Sequence, residues 1–232
     1  MEKSTVSLAV TSLSEHEMER VELLCRSSKK VRIRQCNAVS KQTTVCVVPA
    51  DPKDSAMAKV RTAKAMRAAL LGIPLVTPAW IEACLSSEDI VPPTAFLRSL
   101  PTKGGAKVGS ACGVAHLAAR KTGLLSKYQI FLCLPTRLQR DVIQLIKDAG
   151  GTVVSRLSLP ADGRPLVVLC GDTDQNVSGA VNKAVTMNPE NHLVVHSRWL
   201  FDSISHGSPL ADLSYGPPSN KANALWKLCS QT

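Results

Sequence analysis

The chain has 232 residues and a hydrophobic fraction of 44%, which suffices for one large domain or two of about 100 residues each and excludes global disorder. Its formal net charge of +10 fits either a solvated linker face or the attraction of an acidic peptide or nucleic acid. No stretch approaches the ~18 apolar residues that a membrane helix needs, and the N-terminus has no apolar run of the signal-peptide kind. We therefore expect a soluble intracellular protein.

The cysteine pattern argues against a metal or disulfide framework. The eight cysteines include no CxxC pair. Most of them lie in apolar runs, such as residues 44–48 around Cys46, which is typical of buried free thiols. Neither a zinc site nor disulfides are expected, and the compartment is predicted to be reducing, the cytosol or the nucleus.

The first half of the chain predicts a regular alternation of strands and helices. Ser14 and Glu17 fit a capping box, in which the serine oxygen accepts an orphan amide of the helix and the glutamate reaches back. Gly72 is expected to end the second helix, and Thr77 with Pro78 to open the third. The predicted strands are 6–10, 31–34, 43–48 and 75–77, and the predicted helices are 14–25, 55–71 and 78–85.

After an interruption the same order of elements recurs. Residues 92–126 contain Pro92-Pro93 and Gly104-Gly105, which mark a linker, and 113–121 fits a short helix within it. Strands are then predicted at 129–134, 152–155, 165–170 and 192–195, with helices at 135–149, 177–185 and 197–205. Short strands with crossover helices imply, in each half, a small parallel sheet with helices on both faces. The predicted domains are 1–92 and 126–217, with a linker at 93–125 and a C-terminal tail at 218–232.

Two tryptophans occupy the same place in the two halves. Trp80 and Trp199 each lie inside the last helix of their half. A single tryptophan at that point is expected to fill the core, where its apolar area contributes a few kcal/mol.

Two consecutive repeats that each end in a strand and a Trp-centred helix resemble the BRCT repeat. The segments that carry the resemblance are 77–84 around Trp80 and 196–203 around Trp199. The pair Gly150-Gly151 is a further mark of the family, although the first half has Ser28-Lys29 at that place. The resemblance covers almost the whole chain. It implies an α/β fold of two BRCT repeats, each a small four-stranded parallel sheet flanked by helices, packed in tandem.

A second motif resembles the phosphopeptide-binding class of tandem BRCT proteins, which includes the mediator of DNA damage checkpoint protein and the breast-cancer susceptibility protein. Arg61-Thr62-Ala63-Lys64 ends 16 residues before Trp80, as the Arg-Thr-x-Lys motif of that class does. The resemblance implies that the Thr11 hydroxyl, the Ser12 amide and the Lys64 ammonium hold a phosphate. Ser12 stands where the family commonly has glycine. Thr11 and Ser12 also precede a helix N-terminus, where amides and the helix dipole favour anions.

The same class has a second pocket for the third residue after the phosphorylated one. Arg61 is expected to bond the peptide backbone and to capture a free C-terminal carboxylate. The ligand is then hypothesised to be a phosphorylated C-terminus, such as the tail of the histone variant that marks DNA breaks. The pocket is expected where the two repeats meet, lined by Met66, Thr136, Arg137 and Phe201.

A second phosphate site is conceivable because Lys183 also precedes its tryptophan, Trp199, by 16 residues. It is not expected, since Pro135 in the corresponding loop has no amide to donate. His192 and His196 flank a strand and do not predict a metal site. No GxSxG, P-loop or HExxH motif occurs, so no enzyme is predicted.

Three functions remain open. The leading one is a phosphoserine or phosphothreonine reader that acts as an adaptor in the DNA-damage response, in the nucleus, as a monomer, without a cofactor and without membrane contact. DNA binding is the second, because no acid occurs between Asp89 and Asp141, an interval that includes Lys103, Lys107, Arg120 and Lys121. A scaffold that ignores phosphorylation is the third.

Overall fold

The chain divides into two compact units, residues 1–121 and 122–232. The computed structural model describes residues 5–28, 30–54, 56–101, 123–157, 163–171 and 192–210. Each unit has a four-stranded, all-parallel sheet with helices beside it, so the predicted fold class is confirmed. None of the described helices has the length and apolar character needed to cross a membrane.

The first unit has the predicted order of elements. Its sheet order is β2-β1-β3-β4, and a short 3-10 helix, Pro93–Phe96, follows the last α-helix. Leu97 then bridges to Val76, so the start of the predicted linker lies against the edge of this sheet. The strands are β1 (Thr5–Val10), β2 (Arg32–Cys36), β3 (Val45–Val47) and β4 (Leu75–Val76), and the helices are α1 (Glu15–Ser27), α2 (Ala63–Leu70) and α3 (Pro78–Ser87).

The second unit repeats this topology with the sheet order β6-β5-β7-β8. The predicted helices at 113–121 and 177–185 and the predicted tail at 218–232 lie outside the described residues. The strands are β5 (Gln129–Cys133), β6 (Thr152–Val154), β7 (Leu166–Cys170) and β8 (His192–His196), and the described helices are α4 (Thr136–Asp148) and α5 (Ser197–His206).

The N-terminal boundary predicted for α2 is wrong. The helix begins at Ala63 and not near residue 55. The preceding segment is held by backbone bonds to other parts of the unit: the Ala58 amide donates to the Ser99 carbonyl over 2.9 Å, and the Asp51 amide donates to the Met57 carbonyl over 2.9 Å. Because these bonds replace intrahelical ones, the Ala- and Lys-rich stretch becomes helical only after Thr62. Lys64 therefore lies in the first turn.

Helices α1 and α3 pack on one face of the first sheet. The capping box of α1 is confirmed, because Ser14 Oγ accepts the Glu17 amide over 3.3 Å and Glu17 Oε2 accepts the Ser14 amide over 2.7 Å. Arg20 on α1 makes two side-chain bonds to Glu82 on α3, which hold the pKa of that carboxyl below its usual value. The buried residues of this cluster are Leu8, Val10, Val21, Leu24, Ile33, Val45, Val47, Val76, Trp80, Ile81 and Cys84.

The two tryptophans fill the cores of their units, as predicted. Trp80 and Trp199 are each 1% exposed. Trp80 Nε1 donates to the Val91 carbonyl over 2.9 Å, and Trp199 Nε1 donates to the Leu210 carbonyl over 2.8 Å. The acceptor lies 11 residues beyond the tryptophan in both units, so the two units share this hydrogen bond as well as the order of their elements.

The glycine pair after α4 has a steric reason. Gly150 has φ +80°, the left-handed conformation that L side chains rarely adopt. A Cβ added to Gly151 would lie 2.9 Å from Ile146 Cγ2 and 3.1 Å from Leu125 Cβ, both buried. The pair thus allows the chain to turn tightly from α4 towards β6.

Candidate functional site

The loop between β1 and α1 presents two of the predicted phosphate ligands. Thr11 is fixed to the sheet, because its amide donates to the Val47 carbonyl over 3.2 Å. Ser12 is exposed and has φ +56°. Within the part of the chain that the structure describes, the Ser12 amide has no hydrogen-bond acceptor. The loop therefore offers a backbone donor to a ligand.

The third predicted ligand comes from the first turn of α2. Lys64 Nζ donates to the Val10 carbonyl over 3.3 Å, at the carboxyl end of β1. Burial raises the pKa of the Cys46 thiol to about 12, and the charge of Lys64 acts in the opposite direction. Among the described residues Lys64 forms no ion pair.

Thr62 connects the loop to the helix, and it is not among the predicted site residues. Thr11 Oγ1 donates to Thr62 Oγ1 over 2.9 Å, and the Ala65 amide donates to the same oxygen over 3.2 Å. Thr62 is thus the N-cap of α2 and still has its own hydroxyl proton to donate. The signal was present in the sequence, since a threonine before a helical run is a common N-cap.

The first turns of α1 and α2 differ in charge. The first turn of α1 contains Glu15 and Glu17, and Glu17 already satisfies the Ser14 amide. The first turn of α2 contains no acid. A ligand phosphate would therefore gain from the dipole of α2, while the acids of α1 reduce the contribution from that helix.

Replacing Ser12 with glycine is expected to raise the free energy of unfolding by up to about 1 kcal/mol, because an L side chain is strained at positive φ. The midpoint of urea unfolding measures this change. Ser12→Ala is the matched control, since it removes the hydroxyl but keeps the Cβ and should give no gain. A glycine variant no more stable than the alanine variant would contradict the strain.

The residues predicted for the second pocket are distributed over both units. Met66 on α2 is buried, and Arg61 Nη1 donates to the Pro101 carbonyl over 3.4 Å. Thr136 and Arg137 are exposed in the first turn of α4, and Phe201 is partly buried on α5. The pocket itself stays a prediction.

The second unit differs at the place that corresponds to the phosphate loop. Pro135 is the residue that caps α4, and it has no amide to donate. Lys183 lies outside the described residues, as do Lys103, Lys107, Arg120 and Lys121 of the acid-free interval.

The fold is similar to those of solved tandem BRCT structures. The BRCT5-BRCT6 domains of Brc1 from S. pombe match with a TM-score of 0.62 and 18% identity, over 88% of this chain and 93% of that one. A fragment of yeast Rtt107 matches with a TM-score of 0.56 and 13% identity, over 90% of this chain and 89% of that one. No family model and no curated protein matches the sequence. With two four-stranded parallel sheets in this order, the chain has the fold of a tandem BRCT protein.

Proposed function

We propose that the chain is a phosphoserine- or phosphothreonine-dependent protein-binding module that acts as a nuclear adaptor in the DNA-damage response. One observation carries the proposal. The Thr11 hydroxyl, the Ser12 amide and the Lys64 ammonium converge at the carboxyl end of β1, where ligands bind in open parallel sheets.

The chemistry of these groups suits a phosphomonoester. The ligand carries about −1.5 to −2 charges and three strong acceptor oxygens. Lys64 has three N–H donors, of which Val10 takes one, and it acts as a point charge towards phosphate. Thr62 adds a hydroxyl beside Thr11. A neutral hydroxyl or amide ligand would leave the ammonium without a counter-charge.

The finer identity of the ligand rests on Arg61. We propose that this residue binds the peptide backbone and the terminal carboxylate of a phosphorylated C-terminal tail, such as that of a damage-marking histone. Arg61 lies two residues before the turn that carries Lys64, and this closeness in sequence supports a contact with the same peptide. Met66, Thr136, Arg137 and Phe201 would contact the third residue after the phosphate.

Amidation of the peptide C-terminus is expected to weaken binding by roughly 10-fold, because Arg61 would lose a charge-assisted partner. Fluorescence anisotropy with a labelled phosphopeptide, free or amidated at its terminus, measures the change. Arg61→Gln should bind both peptides with equal, weakened affinity. Equal affinities of the unaltered protein for the two peptides would reject the terminal carboxylate and leave the phosphate site standing.

The proposal as a whole is tested by a degenerate phosphopeptide pull-down. Libraries with phosphoserine, phosphothreonine or unmodified serine at a fixed position are compared, each with free and blocked C-termini. We expect enrichment from the phosphorylated libraries alone. Equal recovery from the unmodified library would contradict the function and favour a scaffold that ignores phosphorylation.

A further inference from the structure

A cleft of about 740 Å³ lies outside the carboxyl ends of β1, β3 and β4. It shares Ser12 with the phosphate site and continues to Lys59, Thr77, Pro78 and Arg98. We propose that this cleft binds a second anionic group of the partner, a carboxylate or a further phosphate, a few residues N-terminal to the phosphorylated one. This inference rests on the proposed function for the identity of the peptide.

The side-chain hydroxyl of Thr77 is buried. The residue is 3% exposed, and among the described residues its hydroxyl oxygen has no hydrogen-bond partner. Thr77 is the N-cap of α3, but its side chain caps no amide there. Because an unmade hydrogen bond of a buried group costs free energy, the Thr77 hydroxyl, which belongs to a residue lining the cleft, is suited to a ligand that supplies the acceptor.

Arg98 adds a second buried polar atom and a positive charge to the cleft. Its Nη1 donates to the Leu97 carbonyl over 2.7 Å, whereas its Nε is buried and has no partner within the described part of the chain. The Arg98 amide donates to the Leu75 carbonyl over 2.9 Å, which fixes the residue beside β4. A guanidinium bonds two oxygens of a carboxylate or phosphate through its planar fork, and Nε is one of the donors that such a bond uses.

The surroundings favour an anion over a cation. Lys59 is exposed and lines the same cleft, and the first turn of the ten-residue helix α3 contains no acid. Its N-terminal dipole end therefore points a partial positive charge at the cleft. Glu17 is the acid among the lining residues, and its carboxylate is already bonded to the Ser14 amide and hydroxyl.

The position along the peptide follows from the order of the strands. β4 is two strands away from β1, a separation of roughly 10 Å at the usual strand spacing, and an extended chain spans that distance in about three residues. The residues that follow the phosphorylated one are assigned to Arg61 and Met66 on α2. The cleft is therefore expected to bind peptide residues that precede the phosphorylated one by about two to four positions.

The first test compares two phosphopeptides that carry glutamate or glutamine at these preceding positions, by fluorescence anisotropy with the full chain. We expect the glutamate peptide to bind at least about 10-fold more tightly, a difference worth roughly one charge-assisted hydrogen bond. Arg98→Gln and Thr77→Val should each abolish the difference while leaving the affinity for the glutamine peptide unchanged. Arg34→Gln, an exposed arginine on the edge strand β2, is the control and should preserve it.

A second measurement keeps the inference testable on its own. Inorganic phosphate is titrated into Lys64→Ala, which disables the phosphate site, and the Arg98 Nε–H resonance is followed by NMR. A saturable shift that Thr77→Val weakens supports the cleft even if no phosphopeptide binds. No shift, or a Thr77→Val variant that only gains stability and keeps the preference for glutamate, would overturn it. Failure of the proposed function is a separate result, namely that Lys64→Ala binds every peptide as the unaltered protein does.

Discussion

Replacing Lys64 with alanine is expected to weaken the binding of a phosphopeptide by roughly 10- to 100-fold, since a hydrogen bond to a charged group contributes about 1.5–3 kcal/mol. The loss arises because Lys64 supplies the full positive charge at the end of β1, where Val10 holds its ammonium. Isothermal titration calorimetry with one phosphopeptide and its unphosphorylated form measures it. Thr11→Ala should act in the same direction, and Thr11→Ser, which keeps the hydroxyl, should restore most of the affinity.

The matched control for Lys64→Ala is Lys41→Ala, which removes the same charge from an exposed position. This control should bind as the unaltered protein does. Equal losses in both variants would mean that binding depends on net charge alone. A steep salt dependence of DNA binding that persists in Lys64→Ala would instead favour the nucleic-acid function.

Replacing Trp199 with alanine is expected to lower the free energy of unfolding of the second unit by about 3–5 kcal/mol, as large-to-small changes in cores do. The side chain is 1% exposed and donates to the Leu210 carbonyl. Its ring lies edge-on to that of Tyr128, with 5.9 Å between the ring centroids. Such a loss is a large part of the 5–15 kcal/mol that stabilises a typical domain.

Hydrogen exchange followed by mass spectrometry suits this change, because a chain with two units need not unfold in one step. Peptides covering β7 (Leu166–Cys170) should lose protection in Trp199→Ala, while peptides covering β3 (Val45–Val47) keep it. Trp80→Ala should give the reverse pattern. Loss of protection in both units from either change would contradict the assignment of one core to each tryptophan.

The elements that could be predicted from the sequence are those set by local patterns. Alternation of apolar runs with amphipathic ones predicted both parallel sheets, and the capping box at Ser14 and Glu17 was visible three residues apart. The start of α2 was missed because residues before it form non-helical backbone bonds. The Ala58 amide bonds to Ser99, which is distant in sequence, and the Asp51 amide bonds to Met57 in a local turn. Such bonds form only in the folded unit, and they produce no periodic pattern in the sequence.

The candidate site was predictable in part for the same reason. Resemblance to a motif pointed to Thr11, Ser12 and Lys64, and the structure brings these residues to one end of β1. The resemblance did not reveal the link through Thr62, which depends on where α2 begins. It did not reveal the buried state of Thr77 either, because that state depends on the packing of the folded unit. The positive φ of Ser12 was foreseeable only from the glycine that stands there in the family.

The hydroxyl pair formed by Thr11 and Thr62 affects how the site distinguishes a modified partner from an unmodified one. In the resting state the Thr11 proton is already engaged, so an unmodified serine would exchange one neutral contact for another with little net gain. A phosphate brings charge that the hydroxyl of Thr62 cannot match. The ratio of the affinities for phosphorylated and unphosphorylated peptide then depends on whether the Thr11 proton bonds to Thr62 or to the ligand. Thr62→Val removes the acceptor within the protein. This change should therefore strengthen the binding of unphosphorylated peptides.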